Sequence, residues 1–260
     1  MSKAALADFV ALHRIYLTRS LFFIFGCVGI WWGVAVLPVF WHQNSAERVA
    51  QRVIAGDSFK PEVLSEQTAA LARSEKVDFC RPAALQSAAI IQLRIAERAS
   101  GGSLKNTGQL NLLDSAVRRS LSCAPADSFL WLILFATQNA KEGYKPENLK
   151  FLRMSYALGP NEGWIIERRT PFVIGGLELL PADMAAKATD EFIRLLNEGR
   201  FYRRAVDIFC KTTAPRRDAI LPKTATLSLA LRKSFARSIY DCGLDLQVPG
   251  VKVDSPKRPW

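Results

Sequence analysis

The residues of this chain that could do chemistry are few. Glu162 and Glu167 stand five positions apart beside Arg168 and Arg169. Two carboxylates can cleave a glycosidic bond when burial weakens the acidity of one of them. A simpler reading makes Glu162 a first-turn acid that favours the helix dipole and Glu167 a partner for an arginine. The only histidines, His13 and His42, flank an apolar run and have no partners nearby in sequence. They leave little room for a histidine-based zinc centre or a Ser-His-Asp relay. No Gly-rich phosphate loop precedes a helix, and no closely spaced cysteine pair suggests a zinc or redox centre. The expectation is a protein without catalytic residues, metal or cofactor, and not an enzyme.

Cysteine is the other reactive type. Cys27 lies inside the apolar run, whereas Cys80, Cys123, Cys210 and Cys242 all follow it. Four cysteines in an oxidising compartment invite two disulfides, and three pairings are open. Cys80 with Cys123 and Cys210 with Cys242 are expected, because neighbours in sequence are usually neighbours in a helical array. The alternative is buried free thiols, since cysteine packs well as a small apolar residue.

These residues need elements to position them. Residues 21–41, LFFIFGCVGIWWGVAVLPVFW, carry no charge. As a helix they would be roughly 32 Å long, matching a bilayer core of about 30 Å. A cleaved signal peptide would have a shorter apolar region followed by small residues, and here the run ends in Pro38, Val39, Phe40 and Trp41. An uncleaved anchor is expected, with Trp41, Phe40 and Tyr16 at the interfaces and Pro38 in its last turn. Lys3, Arg14 and Arg19 precede it, and Arg48, Arg52 and Lys60 follow. That count is a tie. Arg14 and Arg19 lie nearest the membrane edge, and a long following domain translocates largely regardless of charge. The amino end is read as cytoplasmic and the bulk as periplasmic.

Beyond the anchor the pattern is helical. Leu110, Leu113, Val117 and Leu121 share one face. Residues 127–140 gather Leu130, Trp131, Leu134 and Phe135 behind an N-cap at Asp127 or Ser128. Further helices are expected over 146–158, behind a cap at Asn161, and over 182–197, 200–210 and 224–240. The segment 244–260 reads as an irregular basic tail. The organisation is therefore a cytoplasmic segment 1–20, a transmembrane helix 21–41, a periplasmic helical domain 42–243 and the tail. Helices this short gain stability only by packing their apolar faces, and a stack of antiparallel pairs does so.

An internal similarity repeats at about 35 residues. AVRRSLSCAPADSFLWLILF (116–135) and FLRMSYALGPNEGWII (151–166) each run helix, proline-ended turn, polar cap and Trp-bearing helix. This resembles the tetratricopeptide repeat, whose period is 34 residues. Trp131, Leu134 and Phe151 match its large positions. Phe135, Gln138, one inserted residue before Pro160 and the early Trp164 depart from it. The resemblance implies an all-α fold, an anchor followed by a tetratricopeptide-like stack with a concave face for other proteins. The succession LSCAPADSFLWLILFA to LRMSYALGPNEGWIIERR is also similar to small membrane-anchored alphaproteobacterial proteins associated with surface-polysaccharide assembly. That likeness implies a cell-envelope role.

Charge adds a further constraint. After residue 42 the chain carries 32 basic and 23 acidic residues. Arg200, Arg203, Arg204, Lys211, Arg216, Arg217, Lys223, Arg232, Lys233 and Arg237 crowd one late stretch. Such a field attracts anionic lipid or acidic polysaccharide, or forms a solvated face. Nucleic acid, the other anionic partner, would rarely meet an exported domain. The expected function is a periplasmic scaffold or adaptor for envelope proteins, with Trp164, Arg168 and Arg169 as binding residues. The alternatives are a glycan-acting enzyme using Glu162 or Glu167, and a cytoplasmically facing basic module.

Overall fold

The computed structural model describes residues 3–74, 80–99 and 104–251, with the side chains of 3–15, 38–44 and 72–74 outside the described set. Among the described residues every regular element is helical and no strand occurs. Helix α1 (Lys3–Ile54) is one continuous rod of 52 residues. Its segment Tyr16–Leu37 has a mean hydropathy of 2.1 and no buried residue, and it is the one described helix long and apolar enough to cross a membrane. This segment contains most of the uncharged run 21–41. Pro38 does not sit in a last turn, because the helix runs on through it to Ile54. A proline deletes one donor and bends a helix without having to end it. The side chains of Phe40, Trp41, His13 and His42 lie outside the described residues.

The far end of α1 is not a free linker. Ala46 and Ala50 are buried in the domain core, with Val49, Val53 and Ile54 packed against it. Helices α2 (Pro61–Ser74) and α3 (Pro82–Ala99) cover this end. Then follow α4 (Thr107–Cys123), α5 (Ser128–Glu142), α6 (Leu149–Leu158), α7 (Gly163–Gly175), α8 (Ala182–Asn197), α9 (Gly199–Lys211), α10 (Ala214–Ile220) and α11 (Leu229–Asp241).

Local chemistry sets most boundaries. The Asp127 carboxylate accepts from the backbone N–H of Phe129 and Leu130 at 2.9 and 3.1 Å, capping α5 as expected. Asn161 does not cap α7. Glu162 occupies that position, and the Asn161 side chain accepts from Arg194 at 3.0 Å. The helix read over 224–240 starts only at Leu229, because Ser228 caps it and residues 221–226 form a 3-10 helix. From Leu244 to Val251 the chain is irregular. The rest of the tail lies outside the described residues.

Consecutive helices pair antiparallel. In α3 and α4, Gln92 reaches Gln109 at 2.8 Å, while Cys80 and Cys123 close the opposite ends with Cα atoms 5.7 Å apart. In α5 and α6, Trp131 stacks on Phe151 at 6.0 Å and Asn148 bonds Asn139 at 3.0 Å. In α8 and α9, Phe192 meets Phe209 at 6.0 Å, and Phe235 of α11 continues the ring contact at 5.1 Å. Cys242 just beyond α11 lies with Cys210 of α9, Cα atoms 6.2 Å apart. Both cysteine pairs are the expected ones, at disulfide distance.

Alternate helices lie side by side. Phe129 at the start of α5 packs on Trp164 at the start of α7, ring centroids 5.0 Å apart. The two residues are 35 positions apart, the period read in the sequence. Phe201 of α9 lies in turn against Gly163 of α7, close enough that a Cβ there would meet its ring at 2.9 Å.

Candidate functional site

The segments that carry the sequence resemblance converge on one buried point. Arg169 projects from the middle of α7, with its Nε and Nη2 donating to the two carboxylate oxygens of Glu191 on α8. Its Nη1 donates to Ser155 Oγ at 2.9 Å, and Nη2 also to the Gly159 carbonyl at 3.1 Å. The guanidinium lies over the Tyr156 ring, 4.1 Å from its centroid. Ser128 Oγ of α5 donates to the Ser155 carbonyl at 2.9 Å. A planar five-donor fork is the side chain that can satisfy such a set at once.

Arg169 and Glu191 are both 0% exposed. Arg169 is therefore interior and offers no surface to a partner, which corrects the expectation that it binds one. The reason is its carboxylate: Glu191 lies 22 positions away, and only the antiparallel packing of α7 on α8 brings it in.

The other two expected binding residues are half-buried and engaged. Arg168 donates to the carbonyl of Ile54, at the end of α1. A cation at a helix C-terminus meets the negative end of the dipole, so Arg168 ties α7 to the stalk. Trp164 lies on Phe129 and donates its indole N–H to Glu162 at 3.1 Å. Glu162 is exposed and Glu167 half-buried, while among the described residues the wholly buried carboxylate is that of Glu191. Among the described residues no group of three His, Cys, Asp or Glu could hold a metal ion.

Burial also marks the tyrosines. The Tyr156 phenol is pushed far above its ordinary value, first by burial and then by the negative charge of Glu191. Tyr144 and Tyr202 are raised by burial as well. At the surface, Asp183 is held below the usual carboxylate range by its hydrogen bond to Arg153, and Glu142 by its bond to Lys145.

The late basic stretch is partly engaged. Arg217 and Arg232 reach the carbonyls of Cys210 and Pro249 at 3.5 and 2.7 Å. Arg216 pairs with Glu178 at 2.8 Å, and Lys223 stands 3.7 Å from Asp190. Arg204 and Lys211 share Asp207 at 3.8 and 3.1 Å.

Sequence reasoning missed the concavities. One of about 530 Å³ lies among α3, α5 and α7, lined by Phe135, Ala140, Tyr144, Phe172 and Leu179 among others. Another of about 270 Å³ lies between α7 and α9. The only signal for the first was the apolar run FVIGGLELL at 172–180, which is too short and too charged to cross a membrane. No family model, no curated protein and no solved structure matches the chain.

Proposed function

We propose that this chain is a single-pass inner-membrane scaffold or adaptor whose periplasmic array of degenerate tetratricopeptide-like repeats binds other cell-envelope proteins, in polysaccharide assembly or export. The observation that carries this reading is the register of Phe129 on Trp164. It sets α5 and α7 side by side one sequence period apart, as stacked repeats require. The concavities beside these helices support a binding face. The two cysteine pairs support an oxidising compartment. The basic surface supports contact with anionic lipid or acidic polysaccharide at the membrane.

Among the described residues the one buried carboxylate, Glu191, is taken up by Arg169, and Glu162 and Glu167 are not enclosed, which supports a scaffold over a glycan-cleaving enzyme. Crosslinking in native membranes followed by pull-down tests the proposal. Specific envelope proteins should come down with the full-length chain, and recovery of the bait alone would count against it. A reporter fused to the carboxyl end should be active only outside the cytoplasm.

A further inference from the structure

The domain exposes few large apolar side chains. Outside the membrane span, those described as exposed are Leu112, Met154, Phe172, Leu179 and Leu229. Phe172 and Leu179, 45% and 57% exposed, line the same cavity of about 530 Å³. Two such residues converging on one hollow mark a contact site better than scattered ones do. In its wall the hydroxyl of Tyr144 is shut away from solvent and has no hydrogen-bond partner. The ring of Tyr144, not its hydroxyl, therefore faces the hollow.

The hollow does not end at α7. Gly175 lines both it and the neighbouring cavity of about 270 Å³, where Arg204, Lys211 and Arg216 stand. Arg216 has its own carboxylate in Glu178, whereas Arg204 and Lys211 share the single one of Asp207. This end therefore carries excess positive charge.

We infer that this groove receives a segment of another protein bearing large apolar side chains followed by acidic ones. The apolar groups cover Phe172 and Leu179, and the carboxylates reach Arg204 and Lys211. The inference rests on the scaffold reading and names the chemistry of its partner.

Gly175 supplies a clean test. A Cβ added there would meet nothing within 4 Å, and its backbone is ordinary helix, so Gly175→Leu fills the groove without strain. The probe is a short fluorescent peptide with Leu and Phe at one end and a run of Glu at the other, titrated against the full-length chain in detergent. A second peptide carries Lys in place of Glu. The acidic peptide should bind saturably, and Gly175→Leu should weaken it about tenfold or more while the melting temperature holds. Lys211→Glu should weaken the acidic peptide and strengthen the lysine one. Equal binding of both peptides, no saturation, or undiminished binding by Gly175→Leu overturns the inference. So does a concentration-dependent dimer that Gly175→Leu abolishes, since the groove would then hold a second copy. If native membranes yield the same envelope partners with Gly175→Leu as with wild type, the scaffold stands and the groove assignment falls. Saturable peptide binding without any native partner would uphold the groove and bring down the scaffold.

Discussion

Arg169 and Glu191 form a fully buried ion pair at the joint between α7 and α8, and neither side chain reaches solvent. The pair is completed by Ser155 and Gly159, so one point fastens α6, the turn after it, α7 and α8. Removing either partner strands a charge in the interior. Arg169→Met or Glu191→Leu alone should cost about 3–5 kcal/mol of stability. The double variant should recover most of that loss, because two buried apolar groups leave nothing unpaired. Denaturant unfolding of the full-length chain in detergent measures both.

Gly159 is required by a close approach. A Cβ at this position would run into the Ser128 side chain, and the same turn supplies the carbonyl that Arg169 needs. Gly159→Ala should therefore destabilise by about 1–3 kcal/mol through overpacking. Gly159→Ala combined with Ser128→Gly should regain part of it, as thermal melts would show.

Each cysteine pair closes a long loop, with sequence separations of 43 and 32. Cys80→Ser or Cys210→Ser should each lower stability by ~2–4 kcal/mol. Alkylation before and after reduction should show four protected thiols in the native membrane, with Cys27 reactive only after solubilisation. Four free thiols in the untreated sample would reverse the compartment assignment.

Arg168 holds the end of the stalk through a charge-assisted hydrogen bond. Arg168→Ala should cost about 1.5–3 kcal/mol locally. Hydrogen exchange should rise over residues 48–58 and stay unchanged in α9 and α11.

The pH dependence follows from Tyr156. Its folded phenol titrates above a free one, so its neutral form is favoured by folding. That stability is complete below the ordinary phenol value of about 10 and drains away as the pH rises past it. Unfolding free energy should fall on the alkaline side, and Tyr156→Phe, which keeps the ring under Arg169, should flatten that limb. Asp183 and Glu142 act in the opposite sense. Their contribution is present above the usual carboxylate range and fades as the pH falls through their lowered values.

The long apolar helix, the helical class and the cap at Asp127 were legible because each depends on residues close in the chain. An uncharged run, a 3.6-residue period and a carboxylate before a helix act over one or two turns, and sequence displays those directly. The cysteine pairing followed from the rule that neighbours in a helical array are neighbours in sequence. The fate of Arg168 and Arg169 was not legible. They look like one exposed basic pair, yet adjacent residues on a helix point about 100° apart. One meets the end of α1 and the other the buried Glu191. Nor could the sequence locate the groove of Phe172 and Tyr144, whose walls come from three helices. Local chemistry determined which helices form; tertiary packing decided which charges became structure and which surface stayed open.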